Sequence, residues 1–418
     1  MFFSARSAVF GRVLFFLFFL FVSNASATWD ECDLSWAEKF SQKPIQFNDS
    51  HVASVWGNIR ATLRPFLIPE YELLQLENPE FARGSIPVVL SIARNRERAP
   101  LLILLPGIFS DPGGLGNLKL VGTFARLGYD VAVLPNPFGK SYIHAGPKHN
   151  PGSIHAEARV VLQVVQTIKN RIGPSRVLRT ELMGISYGAF LSAVSLALEQ
   201  DDVKAGRSRV RLFDHHVTLL SPPVVISKGR DHLDAIMDQE VNRYFRFCAK
   251  FQNLSRIGLD FVTARKQADL DDASIRCSPG LVGFARFQAD LISTAIALDR
   301  VRGTHKVPSR ENEAEYQRWV RAFRFRTFLQ DFTPDILAQR GTDEETLPYW
   351  FNRLDSEGQS RVRILTTDDD FLNAREDWNL FSTEWVRGSL IRLPWGGHLG
   401  FFGIVGFNSF FQKIFREK

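Results

Sequence analysis

Gly184-Ile185-Ser186-Tyr187-Gly188 sets a serine between glycines, after a strand-like stretch (Val177 to Met183) and before a small-residue helical pattern (Ala189 to Leu198). A serine hydroxyl is a poor nucleophile at neutral pH. It becomes a good one where a sharp turn exposes it, an imidazole takes its proton and backbone N–H groups await the oxyanion. Gly184 and Gly188 suit that strand-to-helix turn, since a side chain at either position would crowd it. The chemistry expected is attack by Ser186 on an acyl carbon.

An acid and then a histidine should follow the nucleophile. After Arg363-Ile364-Leu365-Thr366-Thr367 come Asp368-Asp369-Asp370-Phe371, and after Arg392-Leu393-Pro394 come Trp395-Gly396-Gly397-His398-Leu399-Gly400. Short loops past neighbouring strands bring a carboxylate and an imidazole to one mouth. Asp369 is the expected partner of His398, by its offset from the strand end and from Phe371, and Asp368 and Asp370 stand as alternatives. The other reading of the aspartates is a solvated loop or helix cap. For the oxyanion, one donor should be the N–H of Tyr187. The other should be the N–H of Ile108, in the loop Pro106-Gly107-Ile108-Phe109, where Gly107 lets the chain pass close to the reacting carbonyl.

The elements carrying these loops follow a rhythm. Apolar runs at 86–93, 101–105, 129–134, 177–183 and 211–220 alternate with helical spacing at 118–127, 154–172 and 189–198. That alternation predicts an α/β fold, a doubly wound and mostly parallel sheet covered on both faces. From Val224 to Leu347 the pattern turns helical, aromatic and charged, and reads as a cap inserted before the last two strands, beside the strand ends where open α/β sheets bind ligands. Strands resume at 362–366 and 389–393, with helices near 375–381 and 401–415. The domain reading is a signal peptide at 1–27, core at 28–223, helical cap at 224–347 and core again at 348–418. Residues 28–84 are expected to form strands and turns on the sheet edge.

Leu-Pro-Gly-Ile-Phe at 105–109, Gly-Ile-Ser-Tyr-Gly at 184–188, Thr-Asp-Asp-Asp-Phe at 367–371 and Gly-Gly-His-Leu-Gly-Phe-Phe-Gly at 396–403 together resemble the α/β-hydrolase family over roughly residues 86 to 415. The last motif is similar to that of esterases with Gly-Gly-His-x-Gly-Phe at the catalytic histidine. The resemblance implies Ser186 as nucleophile, His398 as base and acid, an aspartate of the 368–370 group orienting the imidazole, and neither metal nor cofactor. The chain departs from the family at Pro106, where many members carry histidine, and at Asp370, where proline commonly follows the acid. The activity implied is a serine esterase acting on a small-molecule or lipid ester. A lipase, thioesterase or acyltransferase would use the same triad, and a non-catalytic binding protein of this fold is the rival class.

Arg6 and Arg12 ahead of the apolar run Val13 to Val22, then Ala25-Ser26-Ala27, read as a secretory signal, with an uncleaved N-terminal anchor as the alternative. The protein is therefore expected to be exported, to the periplasm or outside the cell. Cleavage would take the formal charge from +6 to +4, a mildly basic surface without a recognition motif, which does not argue for nucleic acid. Of Cys32, Cys248 and Cys277, the last two enclose the shorter loop if one pair bridges; a reduced, buried set is the other reading. His215-His216 are read as consecutive on a strand, facing opposite ways and unable to share a metal. Tyr316 to Phe328 interleaves Arg318, Arg321, Arg324 and Arg326 with Trp319, Val320, Phe323 and Phe328. The favoured reading is a cap helix packed on its own domain, and the other is transient contact with a membrane surface. Nothing fixes the oligomeric state.

Overall fold

The computed structural model describes residues 47–63, 69–94, 96–337, 341–381, 389–403, 411, 412 and 415. The signal-like residues 1–27 and Cys32 lie outside the described residues. The eight strands are β1 (Glu72–Glu77), β2 (Ser85–Ser91), β3 (Ala99–Leu105), β4 (Asp130–Val133), β5 (Val177–Ile185), β6 (Val217–Leu220), β7 (Val362–Thr367) and β8 (Leu390–Leu393), in one sheet of order β1-β2-β4-β3-β5-β6-β7-β8. β1 pairs with β2 and β2 with β4 antiparallel; every later pairing is parallel.

The helices are α1 (Ser50–Leu63), α2 (Leu115–Arg126), α3 (Lys140–His144), α4 (Ile154–Ile172), α5 (Tyr187–Lys204), α6 (Ile226–Arg243), α7 (Phe251–Thr263), α8 (Asp272–Gly280), α9 (Ala289–Arg302), α10 (Glu313–Ala322), α11 (Phe325–Phe332), α12 (Pro334–Leu337), α13 (Leu347–Asn352) and α14 (Ser356–Ser360). β3 shows why the sheet is covered on both faces. Leu102 and Leu104 join a core with Val121 and Phe124 of α2, while Leu101, Ile103 and Leu105 join another with Val161 and Val165 of α4 and Phe190 of α5. A strand apolar at every position can be satisfied only that way. α5 is buried from Tyr187 to Gln200; its serines Ser192 and Ser195 donate to the carbonyls of Gly188 and Leu191, both at 2.8 Å, so neither hydroxyl is stranded in the core.

This is the doubly wound α/β arrangement expected, with the helices α6 to α14 between β6 and β7. Three local expectations change. Residues 50–63 form a helix rather than strands and turns: the Asp49 carboxylate accepts from the N–H groups of His51 and Val52 at 2.9 Å, and Val52, Ala53 and Trp56 bury one side. β6 begins only at Val217. Glu199 takes the N–H groups of Leu212 and Phe213, and the Asp214 carboxylate takes that of Thr180, so residues 212–214 are held by side-chain bonds, while the His215 N–H donates to the Thr180 carbonyl at 3.3 Å and the His216 carbonyl accepts from Leu182 at 3.0 Å on the way into the strand. His215 and His216 consequently lie ahead of the strand, and their rings touch at 3.9 Å instead of facing opposite ways. Among the described residues no cluster of three or more His, Cys, Asp or Glu side chains is placed to hold a metal. The helix expected at 375–381 is 3-10 over Arg375–Leu380, and of that expected at 401–415 a 3-10 turn at Gly400–Gly403 is described, 404–410 lying outside the described residues.

Candidate active site

Ser186 follows directly on β5 and caps α5, with φ 54° and ψ −123°, a left-handed backbone that a non-glycine residue adopts only when its surroundings hold it there. Its own N–H donates to the Leu220 carbonyl at 2.8 Å, and its carbonyl accepts from Ala189 at 2.9 Å. A Cβ at Gly184 would collide with the α5 backbone at Gly188 and Ala189, and one at Gly188 with the carbonyls of Leu105 and Pro106 at the end of β3. Both glycines are therefore required by close backbone approach. Gly107 differs: a Cβ there would rest at 3.4 Å from the Cβ of Ser186, in ordinary contact, so its bareness keeps the space over Ser186 open.

His398 Nε2 lies 3.0 Å from Ser186 Oγ, and its Nδ1 lies 3.0 and 3.1 Å from the carboxylate oxygens of Asp370. All three side chains are buried. An ionised carboxylate only accepts, so the proton sits on Nδ1 and Nε2 is left to accept from the serine hydroxyl.

The carboxylate facing the imidazole is therefore Asp370, whereas the expected Asp369 turns to the histidine loop. Asp369 accepts from the N–H groups of Gly396 at 3.1 Å and Gly397 at 2.8 Å; burial raises its carboxyl and those two bonds pull it back. Asp368 pairs with Arg392 Nε at 2.9 Å. Three consecutive aspartates thus hold three different partners, and only Asp370 is bonded to the His398 ring. Asn373 ties its loop down, taking the Val224 N–H at 2.7 Å and donating to the Pro222 carbonyl at 3.1 Å.

Tyr187 and Ile108 both line the cavity that opens on Ser186, and among the described residues neither backbone N–H donates to a protein acceptor. Free N–H groups beside a nucleophile are what a developing oxyanion needs. Asn136 steadies the Ile108 loop through Nδ2 to the Pro106 carbonyl at 3.0 Å, while Phe109 takes a left-handed φ of 65°.

No protein-family model matches this chain, and no curated protein matches it. Solved structures do. An esterase from Pyrococcus furiosus is 12% identical over 84% of this chain and 95% of that one, at a TM-score of 0.46. A hyperthermophilic esterase from the archaeon Pyrobaculum calidifontis is 14% identical over 91% and 92%, at 0.42. Esterase B from Lactobacillus Rhamnosis is 13% identical over 89% of each, at 0.38. Likeness at this level adds nothing to what the chain's own topology and site geometry establish.

The cavity beside Ser186 measures about 110 Å³, several times the space a single water needs. Ile108, Phe138, Ile154, Leu233, Phe287 and Phe325 make its walls apolar, and Arg230 and Glu345 also line it. α6 of the cap supplies Leu233 and Arg230 and also grips the acid loop, through His232 Nδ1 and the Phe371 carbonyl at 3.1 Å and through Lys228 with Asp377.

Two supports were not anticipated from the sequence. Glu157, buried on α4, accepts from Tyr187 Oη and from the Gly152 N–H, both at 2.5 Å, and so fixes the residue after the nucleophile; burial lifts its carboxyl to about 7 against the pull of those bonds. The histidine loop leans on α1: a Cβ at Gly397 would collide with the Ser50 carbonyl, at Gly400 with that of Ala53, and at Gly57 with that of Gly400. The glycines around His398 serve this helix contact. Their recurrence in 396–403 beside Gly57 was the signal available.

Cys248 and Cys277 are disulfide-bonded, and Cys32 is outside the described residues. In the arginine-rich stretch at 316–328, Phe323, Phe325 and Phe328 are buried, the N–H groups of Phe325 and Arg326 donate to Asp234, and Arg324 pairs with Asp238. Phe325 and Phe328 pack in turn on Phe109 and Phe138 beside the Ser186 cavity.

Proposed function

We propose that the protein is an exported serine hydrolase that cleaves carboxylic esters through Ser186, His398 and Asp370, by way of an acyl-enzyme. The observation that carries this reading is the unbroken series from Ser186 Oγ through His398 to Asp370, at 3.0 Å on either side of the ring. His398 Nε2 takes the hydroxyl proton as Oγ bonds to the ester carbonyl carbon, and the oxyanion forms against the N–H groups of Ile108 and Tyr187. Collapse breaks the ester C–O bond, and the proton on Nε2 passes to the leaving alcohol. Water then repeats the steps, its proton going to His398 and its oxygen to the acyl carbon, releasing the acid and restoring Ser186.

The apolar walls favour an apolar acyl or aryl substrate, and the similarity of 396–403 to the Gly-Gly-His-x-Gly-Phe esterases agrees with ester chemistry. Export rests on the signal-like residues 1–27, supported by a disulfide of the sort that persists in oxidising compartments. The test is labelling with a fluorophosphonate probe, with the adduct mapped by mass spectrometry, in the wild type, Ser186→Ala and His398→Ala. Labelling at Ser186 that vanishes in both variants is expected; a folded wild type that takes no label overturns the reading.

A further inference from the structure

A surface helix ordinarily turns an apolar stripe inward and charge outward. α7 does not. Its inner side, with Ile257 and Phe261, is buried in the cap, yet its outer side carries Phe251, Ser255, Gly258, Leu259 and Val262, residues that fall together at helical spacing and include no charge. Phe251 is 84% exposed, Leu259 63% and Val262 45%, and Phe247 just ahead of the helix is 45% exposed. Four bulky apolar side chains within a span of sixteen residues are thus held in water.

Cations bracket this face. Arg246 and Lys250 stand at its beginning and Arg265 and Lys266 at its end, all exposed; among the described residues none of the four is in an ion pair, although Asp269 lies near enough to Arg265 and Lys266 to offset part of their charge. Of the acids nearest the helix, Asp260 accepts from Ser274 Oγ at 2.8 Å, and Asp271 is neutralised by Arg256 of α7 itself, to one side of the apolar strip. The support beneath is rigid. The Cys248–Cys277 disulfide joins the approach to α7 to α8, Asn253 Nδ2 holds the Phe247 carbonyl at 2.6 Å, and the Trp56 indole donates to the Ala264 carbonyl at 3.0 Å.

We infer that α7 with Phe247 is a membrane-docking surface that seats on anionic lipid, its phenylalanines and aliphatic side chains entering the acyl boundary while Arg246, Lys250, Arg265 and Lys266 meet the headgroups. The charge pattern favours lipid over a protein partner: cations at both ends of an uncharged apolar strip match a plane of anionic headgroups over hydrocarbon. The site is independent of the esterase reading, since it shares no residue with the Ser186 cavity.

The test is sedimentation of the purified protein with sucrose-loaded vesicles, either pure phosphatidylcholine or phosphatidylcholine with phosphatidylglycerol at 7:3, for the wild type, Phe251→Ser/Leu259→Ser and Arg246→Gln/Lys250→Gln. The expected result is preferential binding of the wild type to the anionic vesicles, falling about fivefold for each cation removed and weakening with salt. The apolar double variant should lose at least tenfold on both vesicles. Equal binding of wild type and both variants overturns the inference. So does a wild type that sediments as a dimer in the absence of lipid where the apolar variant is a monomer, which would make α7 a self-association face. A clear drop in melting temperature for Phe251→Ser/Leu259→Ser also overturns it, by showing that another part of the chain covers the strip.

Discussion

Exchanging Asp370 for asparagine isolates what the carboxylate does for the imidazole. Both oxygens of Asp370 face His398 Nδ1, at 3.0 and 3.1 Å, in a buried setting where water cannot substitute. An asparagine amide turned to donate to Nδ1 would favour the tautomer with its proton on Nε2, 3.0 Å from Ser186 Oγ, where a lone pair is needed. A base blocked in this way costs on the order of 10⁴ in kcat, or about 5 kcal/mol of transition-state stabilisation. Asp369→Asn is the contrast. Its two oxygens accept from Gly396 and Gly397, so one N–H loses its acceptor and faces an amide, at a cost of about 1–3 kcal/mol in stability. The expected kcat loss is then under about a hundredfold, reflecting a shifted histidine loop rather than a wrong tautomer. The assay is kcat on a soluble p-nitrophenyl butyrate, alongside urea unfolding of each variant. Asp370→Asn with more than a tenth of wild-type kcat, or Asp369→Asn as impaired as Asp370→Asn, would refute the assignment.

Glu157 makes stability depend on pH. A carboxyl near 7 in the folded protein and near 4.5 unfolded keeps a proton the unfolded chain has lost, so this group's contribution falls as pH rises from about 4.5 to 7, by about 3 kcal/mol, and is flat above. Glu157→Gln can satisfy both Tyr187 and Gly152 without charge; urea midpoints at pH 5 and pH 8 should show it losing less stability over that range than the wild type, and parallel losses would exclude the effect. Gly188→Ala, forced against the Leu105 and Pro106 carbonyls, should cost at least about 1–3 kcal/mol in unfolding free energy, while Gly107→Ala, in ordinary contact, should fold within about 1 kcal/mol of wild type and lose activity instead. Equal destabilisation by the two would contradict the contacts described.

Much of this could be read from residue order, because periodicity and turn chemistry are local. α4 spans the residues its spacing predicts, and the strand, serine and helix of the elbow follow one another as the two glycines require. What could not be read is decided by neighbours distant in sequence. Nothing within Asp368-Asp369-Asp370 says that Arg392 takes the first, the Gly396 and Gly397 amides the second, and His398 the third. Glu157 looks like an ordinary helix-face glutamate until the fold sets Tyr187 against it. Four of the five described non-glycine residues with left-handed φ (Phe109, Ser186, Ser221 and Leu399, the exception being His305) lie just past strand ends around the site. Three of the four are not residues that sequence would single out for that conformation. α1 was misjudged for a local reason: its cap is Asp49, and its small and β-branched residues resemble strand and turn material until Trp56 and Val52 find their core.

The contact between α1 and the histidine loop also sets a schedule. Gly57, Gly397 and Gly400 meet backbone to backbone, although most of the chain is made between the first of them and the other two. A nascent chain can have β5, its elbow and Ser186 long before His398 leaves the ribosome, and even then the imidazole has no backing until the loop returns to a helix made near the start of synthesis. If the proposed hydrolysis holds, it is therefore among the last properties the molecule acquires, and the half-made protein carries an unarmed serine.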